Sequence, residues 1–130
     1  MRELKATKNN LILIQDNISG AKIGFLYDTV KISERLAYQS ESIKIFQNSS
    51  ELERVQKFTE FRLDFVLNKI TGFTDGSFSV DGKAISSDPN SENYYADWKL
   101  FLKENASDLI DTAASLLFNM PNQLLKKHTR

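Results

Sequence analysis

The residue types that most often carry catalysis or bind metals are sparse in this sequence. It contains no Cys and one His, His128, near its C-terminal end. A thiol nucleophile, a disulfide framework and a thiolate zinc site are therefore excluded. One His is also too few for a His-rich metal site and makes a histidine acid–base centre improbable. We expect a protein that is not an enzyme and that holds neither a metal nor an organic cofactor.

Two Asp-Gly pairs, at Asp75 and Asp81, invite comparison with a calcium loop, particularly because Asp88 follows them. A calcium loop places its acidic or amide ligands at alternating positions, whereas these acids lie six and seven residues apart. Each Asp-Gly pair is typical of a tight turn without a metal. The five glycines also form no phosphate-binding pattern, so nucleotide binding lacks sequence support.

The aromatic residues Tyr94, Tyr95 and Trp98 are the first candidates for a function. Tyr and Trp are enriched at the centres of protein interfaces, where they bury a large area. Trp98 shares a helical face with Leu102 and is more typical of a core, whereas core and interface are equally open for Tyr94. We therefore take Tyr94 and Tyr95 as candidate partner-binding residues.

The C-terminal residues are the second candidate. Pro121 is expected to end the last helix, which divides the chain into a globular domain over 1–121 and a basic tail over 122–130. Within the tail, two leucines precede a basic cluster, which is the pattern of a short amphipathic element that docks on a partner or on a second copy. A tail that only aids solubility is an equally open interpretation. The candidate binding residues of the tail are Leu124, Leu125, Lys126 and Lys127.

The composition is that of an ordinary folded protein. The 130 residues include 41% hydrophobic side chains, and 17 basic residues balance 17 acidic ones. This length fits one domain, and the absence of a basic domain or stripe makes nucleic-acid binding improbable. The longest apolar run, Leu11 to Ile14, is far shorter than the roughly 20 residues of a membrane-spanning helix. We expect an intracellular protein without a membrane span.

The elements predicted to position these residues begin with a β-hairpin. Residues 11–15 and 21–27 are rich in strand-forming residues and flank a cluster of turn formers. Ser33 is the predicted N-cap of a first helix to about Gln47, on which Leu36, Ile43 and Phe46 recur at helical spacing. Ser50 and Glu53 then form a capping-box pattern that opens a longer helix. Its apolar residues occupy more than one face, so we expect it to pack on two sides.

The second half of the chain predicts another hairpin and further helices. Gly72 is expected to end the long helix, and Asp81-Gly82 matches the two-residue turn of a small hairpin near residues 78–85. Asp88 and Pro89 resemble a helix start, after which we expect helices to Pro121. The predicted fold is α+β, with an N-terminal hairpin packed on a bundle of about four helices.

Several short phrases of the sequence resemble one family. They are Tyr27-Asp28-Thr29-Val30-Lys31-Ile32-Ser33-Glu34-Arg35-Leu36-Ala37-Tyr38-Gln39, Thr71-Gly72-Phe73-Thr74-Asp75-Gly76-Ser77-Phe78, Asp81-Gly82-Lys83 and Tyr95-Ala96-Asp97-Trp98-Lys99. The chain resembles small proteins of the tail-gene clusters of bacteriophages and prophages, of the tail-assembly-chaperone type.

The resemblance implies a non-enzymatic role in guiding the assembly of the tail tube or the tape-measure protein. It implies a protein partner, with self-association also possible, and a location in the cytoplasm of the bacterial host or in the virion. The alternative is a small phage-encoded inhibitor or adaptor that occupies a host protein, or a minor structural component of the virion. The resemblance brings no catalytic residues with it.

Overall fold

A computed structural model describes residues 1–118, which form an α+β fold as the sequence predicts. These residues contain a three-stranded sheet, a small second hairpin and four helices. The predicted domain boundary at residue 121 lies outside them. The elements, in chain order, are β1 (Asn10–Gln15), β2 (Lys22–Tyr27), α1 (Ile32–Asn48), α2 (Glu51–Lys69), β3 (Ile70–Phe73), β4 (Ser79–Val80), β5 (Lys83–Ala84), α3 (Trp98–Asn105) and α4 (Ser107–Phe118).

The N-terminal hairpin forms close to its predicted bounds. β1 and β2 are antiparallel, with Ile12 opposite Phe25 and Ile14 opposite Ile23. These four side chains face the helices, and Phe25 is completely buried. The turn between the strands is held by the Asp16 carboxylate, which accepts hydrogen bonds from the hydroxyl and backbone N–H of Ser19 and from the backbone N–H of Ile18.

The third strand was not predicted from the sequence. Gly72 does not end α2, because that helix ends at Lys69 and the chain continues directly into β3, which pairs with β2. Gly72 is needed here for close approach. A Cβ atom at Gly72 would lie 2.6 Å from the Oγ of Ser87, which accepts a hydrogen bond from the backbone N–H of Phe73 at 2.9 Å.

In the second half of the described residues, the predicted hairpin turn is confirmed and the predicted helix start is wrong. Asp81 and Gly82 both have positive φ, at 51° and 79°, as a two-residue hairpin turn requires. The expected helix start at Asp88 is wrong. The Asp88 carboxylate instead accepts from the backbone N–H of Asn90 in a tight turn, and α3 begins only at Trp98.

The core lies between the inner face of the sheet and the helices. α2 contributes to it through its second half and α4 through most of its length. No helix within residues 1–118 is long and apolar enough to cross a membrane. The fully buried large side chains are Phe25, Val66, Ile70, Ile110 and Phe118.

Candidate protein-binding surface

Helix α1 exposes the apolar residues that recur at helical spacing in its sequence. Only Tyr38 is buried among its 17 residues. The apolar residues follow steps of four and three along the helix, with Gln39 at the central position, which is the spacing of a helix–helix contact seam. We call the exposed set the α1 seam; its members are Ile32, Leu36, Ile43 and Phe46.

The orientation of α1 follows from how its ends are fixed. The sequence predicts Ser33 as N-cap, but the helix begins at Ile32 after Lys31. The reason is Glu34, whose carboxylate accepts a hydrogen bond from the Lys31 backbone N–H at 3.0 Å and forms an ion pair with Lys69 at the end of α2. At the other end, the predicted cap Ser50 accepts from the backbone N–H of Glu53 at 3.3 Å and starts α2.

A groove runs between α1 and α2 beside the α1 seam. It has a volume of about 580 Å³. The rings of Phe46 and Phe58 lie 5.3 Å apart, centroid to centroid, across the two helices. Leu52 and Val55 in the first half of α2 are also exposed, so the expectation that α2 packs on two sides holds only for its second half. We call this the helical groove; its lining residues are Tyr38, Gln39, Ser42, Ile43, Phe46, Phe58 and Arg62.

The helical groove ends on a buried cation. The guanidinium of Arg62 donates hydrogen bonds to the Asp111 carboxylate at 2.6 Å, the Tyr38 hydroxyl at 2.7 Å and the Ser115 hydroxyl at 2.5 Å. Burial lowers the pKa of Arg62, but its hydrogen bonds to the Asp111 carboxylate and the Tyr38 hydroxyl outweigh this effect, so the pKa is raised. The guanidinium joins Tyr38 on α1 to Asp111 on α4 at this end of the groove.

Of the residues predicted from the sequence to bind a partner, the two that the structure describes, Tyr94 and Tyr95, do not line this groove. Tyr94 is exposed, whereas Tyr95 is half-buried and packs edge-to-face on Phe101 at 5.0 Å between ring centroids. Trp98 is buried, as expected for a core residue. The other candidates lie outside the described residues: Leu124, Leu125, Lys126 and Lys127.

The α1 seam was missed because helical spacing does not say which way a stripe faces. One signal was present in the sequence. The stripe Leu36, Ile43 and Phe46 leaves out Tyr38, the residue that α1 actually buries. Two apolar faces on one helix indicate two different contacts, so a second partner for α1 could have been inferred.

The lining of the helical groove is mainly apolar. Within residues 1–118, no group of three or more His, Asp or Glu side chains could hold a metal ion. The helical groove is lined mainly by aromatic and aliphatic carbon, with hydroxyl and amide groups along its length. Such a lining is suited to binding an apolar side chain rather than to acid–base chemistry. The chain matches no protein-family model, and no curated protein or solved structure is significantly similar to it.

Proposed function

We propose that the chain is a non-enzymatic protein-binding factor that holds an amphipathic helix of its partner against the α1 seam and the helical groove. The observation that carries this proposal is the exposure of Ile32, Leu36, Ile43 and Phe46 along a single line of α1. Scattered exposed apolar residues are normal on a protein surface, but four apolar residues aligned on one helix beside a groove, interrupted only by Gln39, are typical of a binding site.

The geometry favours a helix as the bound element. The seam has the four–three spacing with which one helix packs against another, and its central residue, Gln39, offers an amide that can fix the register of the contact. Away from the seam the two helices carry surface ion pairs, Glu41 with Lys44 on α1 and Glu53 with Lys57 on α2. A partner helix with an apolar face fits this surface.

The resemblance to tail-assembly chaperones suggests which partner to test. We propose that the partner is a phage tail component, either the tube protein or the tape-measure protein. The protein would cover apolar helical segments of that component before they assemble, in the cytoplasm of the bacterial host. No catalytic step is needed for this role.

The test is a titration of the purified chain with the tube and tape-measure proteins from the same phage or prophage, measured by calorimetry. Ile43→Glu should weaken binding at least about tenfold, because a charge replaces an apolar contact at the centre of the seam. The matched control is Leu100→Glu on α3. Ile43 and Leu100 are equally exposed, at 56% each, and Leu100 lies outside the helical groove. Equal affinities of the two variants, or no binding by the wild-type chain, would contradict the proposal.

A further inference from the structure

The free edge of the three-stranded sheet is the strand β1. Within residues 1–118, β1 pairs with β2 on one side and with no strand on the other. Among the described residues, none of the backbone hydrogen bonds made outside helices and strands involves residues 10–15. The segment before β1 does not cover the edge either, because Thr7 bonds to Thr29, which follows β2.

The unpaired backbone groups of this edge belong to Leu11 and Leu13. The backbone N–H of Asp16 donates to the carbonyl of Ala21. In an antiparallel pair the hydrogen-bonded positions alternate, so the backbone N–H and C=O groups of Ile14 and Ile12 also point toward β2. The carbonyl of Gly24, opposite Leu13, confirms this alternation, since it accepts from Thr74 on the far side of β2. The N–H and C=O groups of the two leucines therefore point away from the sheet.

The same two residues expose their side chains. Leu11 and Leu13 lie on the outer face of the sheet and are 53% and 57% exposed. Native edge strands are usually guarded by a charge, a proline or a bulge. β1 has none of these between Asn10 and Gln15, and its pairing with β2 is regular. An edge strand with unpaired backbone groups, exposed leucines and no protecting charge, proline or bulge is suited to pairing with another strand.

We infer that this edge binds the β1 strand of a second copy of the chain, in an antiparallel pair centred on Ile12. A two-fold axis through the sheet at Ile12 places Leu11 of each copy opposite Leu13 of the other, which brings four leucines together on the outer face. In this arrangement, Leu11 of one copy and Leu13 of the other form a hydrogen-bonded pair, so the free backbone N–H and C=O groups of both residues find partners. A two-residue shift would pair Leu11 with Gln15 and lose this complementarity.

The first test is the mass of the protein in solution by light scattering after size exclusion. The apparent mass of the wild-type chain should approach twice 14.9 kDa as its concentration is raised to about 200 µM. Leu13→Lys and Leu11→Lys should each return it to a monomer, because lysines would oppose leucines and one another. Ile43→Glu on the α1 seam should leave the dimer intact. A wild-type monomer, a mass that climbs without limit, or a dimer that survives both lysine variants would overturn the inference.

The second test fixes the register by oxidation, since the chain has no cysteine of its own. Ile12→Cys should form a disulfide-linked dimer, because a non-hydrogen-bonded pair on the axis brings its Cα atoms to about 4.5 Å. Leu13→Cys should not form this disulfide. Residue 13 of the second copy lies two positions further along the neighbouring strand, with its Cα atom roughly 8 Å away. Efficient linkage through Leu13→Cys but not Ile12→Cys would contradict the proposed pairing. Because Ile43→Glu and Leu13→Lys act on different surfaces, failure of this inference is distinguishable from failure of the proposed function.

Discussion

Arg62 connects three helices through its guanidinium. It lies on α2 and binds Tyr38 on α1 and both Asp111 and Ser115 on α4. The two charges differ in environment, since the side chain of Arg62 is 11% exposed and that of Asp111 is 60% exposed. Removing the carboxylate therefore takes an anion away from a mostly buried cation, whereas removing the cation leaves an anion that water can solvate.

We expect Asp111→Ala to lower the free energy of unfolding by about 1.5–3 kcal/mol, the usual value of a hydrogen bond to a charged group. Arg62→Met should also destabilise, because the Tyr38 and Ser115 hydroxyls lose their partner. The double variant should lose at least about 1 kcal/mol less stability than the sum of the two single variants, because it removes the buried cation together with its carboxylate partner. Urea melts measure all three.

The control is Asp64→Ala. Asp64 has the same 60% exposure and pairs with Lys103 at 2.8 Å, on the surface. Its loss should cost no more than about 0.5 kcal/mol. Additive costs for Arg62 and Asp111, or a cost for Asp64 as large as that for Asp111, would show that the network contributes nothing beyond a surface pair.

At the scale of elements, β3 depends on the contact between Gly72 and Ser87. We expect Gly72→Ala to lower the free energy of unfolding by about 1–3 kcal/mol, because its Cβ must displace the Ser87 hydroxyl that binds Phe73. In a Ser87→Ala background the same change should cost much less, since the nearest remaining Ser87 atom, its Cβ, lies at 3.5 Å. Denaturant melts of the four proteins test this. Equal costs in both backgrounds would mean that the hydroxyl is not the obstacle.

The elements that the sequence predicts correctly are those fixed by local chemistry. The Asp81-Gly82 turn and the Ser50 cap depend on neighbouring residues alone, and both are observed. β3 is four residues long and follows α2 without a turn, so only its pairing with β2 defines it as a strand. Whether the α1 seam faces the core or the solvent likewise depends on where the rest of the chain lies. The spacing of apolar residues along one helix does not specify this.

At the scale of the whole molecule, the ion pair of Glu34 with Lys69 joins the start of α1 to the end of α2. Burial raises the pKa of Glu34, but the bonds from Lys69 and from the Lys31 backbone outweigh it, so the pKa lies below its ordinary value. A carboxyl with a lowered folded pKa stabilises the fold above its unfolded pKa of about 4.3, and that stability is lost as the pH falls through the folded value.

We therefore expect the wild-type chain to lose stability between about pH 5 and pH 3, and Glu34→Gln to flatten this part of the profile. Glu34→Gln should be less stable than wild type at pH 7 and closer to it at pH 3. Thermal melts across this range measure the difference. A difference between the two proteins that does not change with pH would show that the titration of Glu34 does not contribute.

The position of Trp98 makes it an intrinsic fluorescence probe of the fold. It is the one tryptophan in the chain, it is 6% exposed, and its ring meets that of Phe73 edge-to-face at 5.6 Å. Its emission therefore reports on whether α3 is seated against β3. The exposed halves of α1 and α2 contribute to far-ultraviolet circular dichroism but not to this signal. If the two signals change at different denaturant concentrations, the α1–α2 region and the contact of α3 with β3 unfold as separate units. The chain reports on both without an added label.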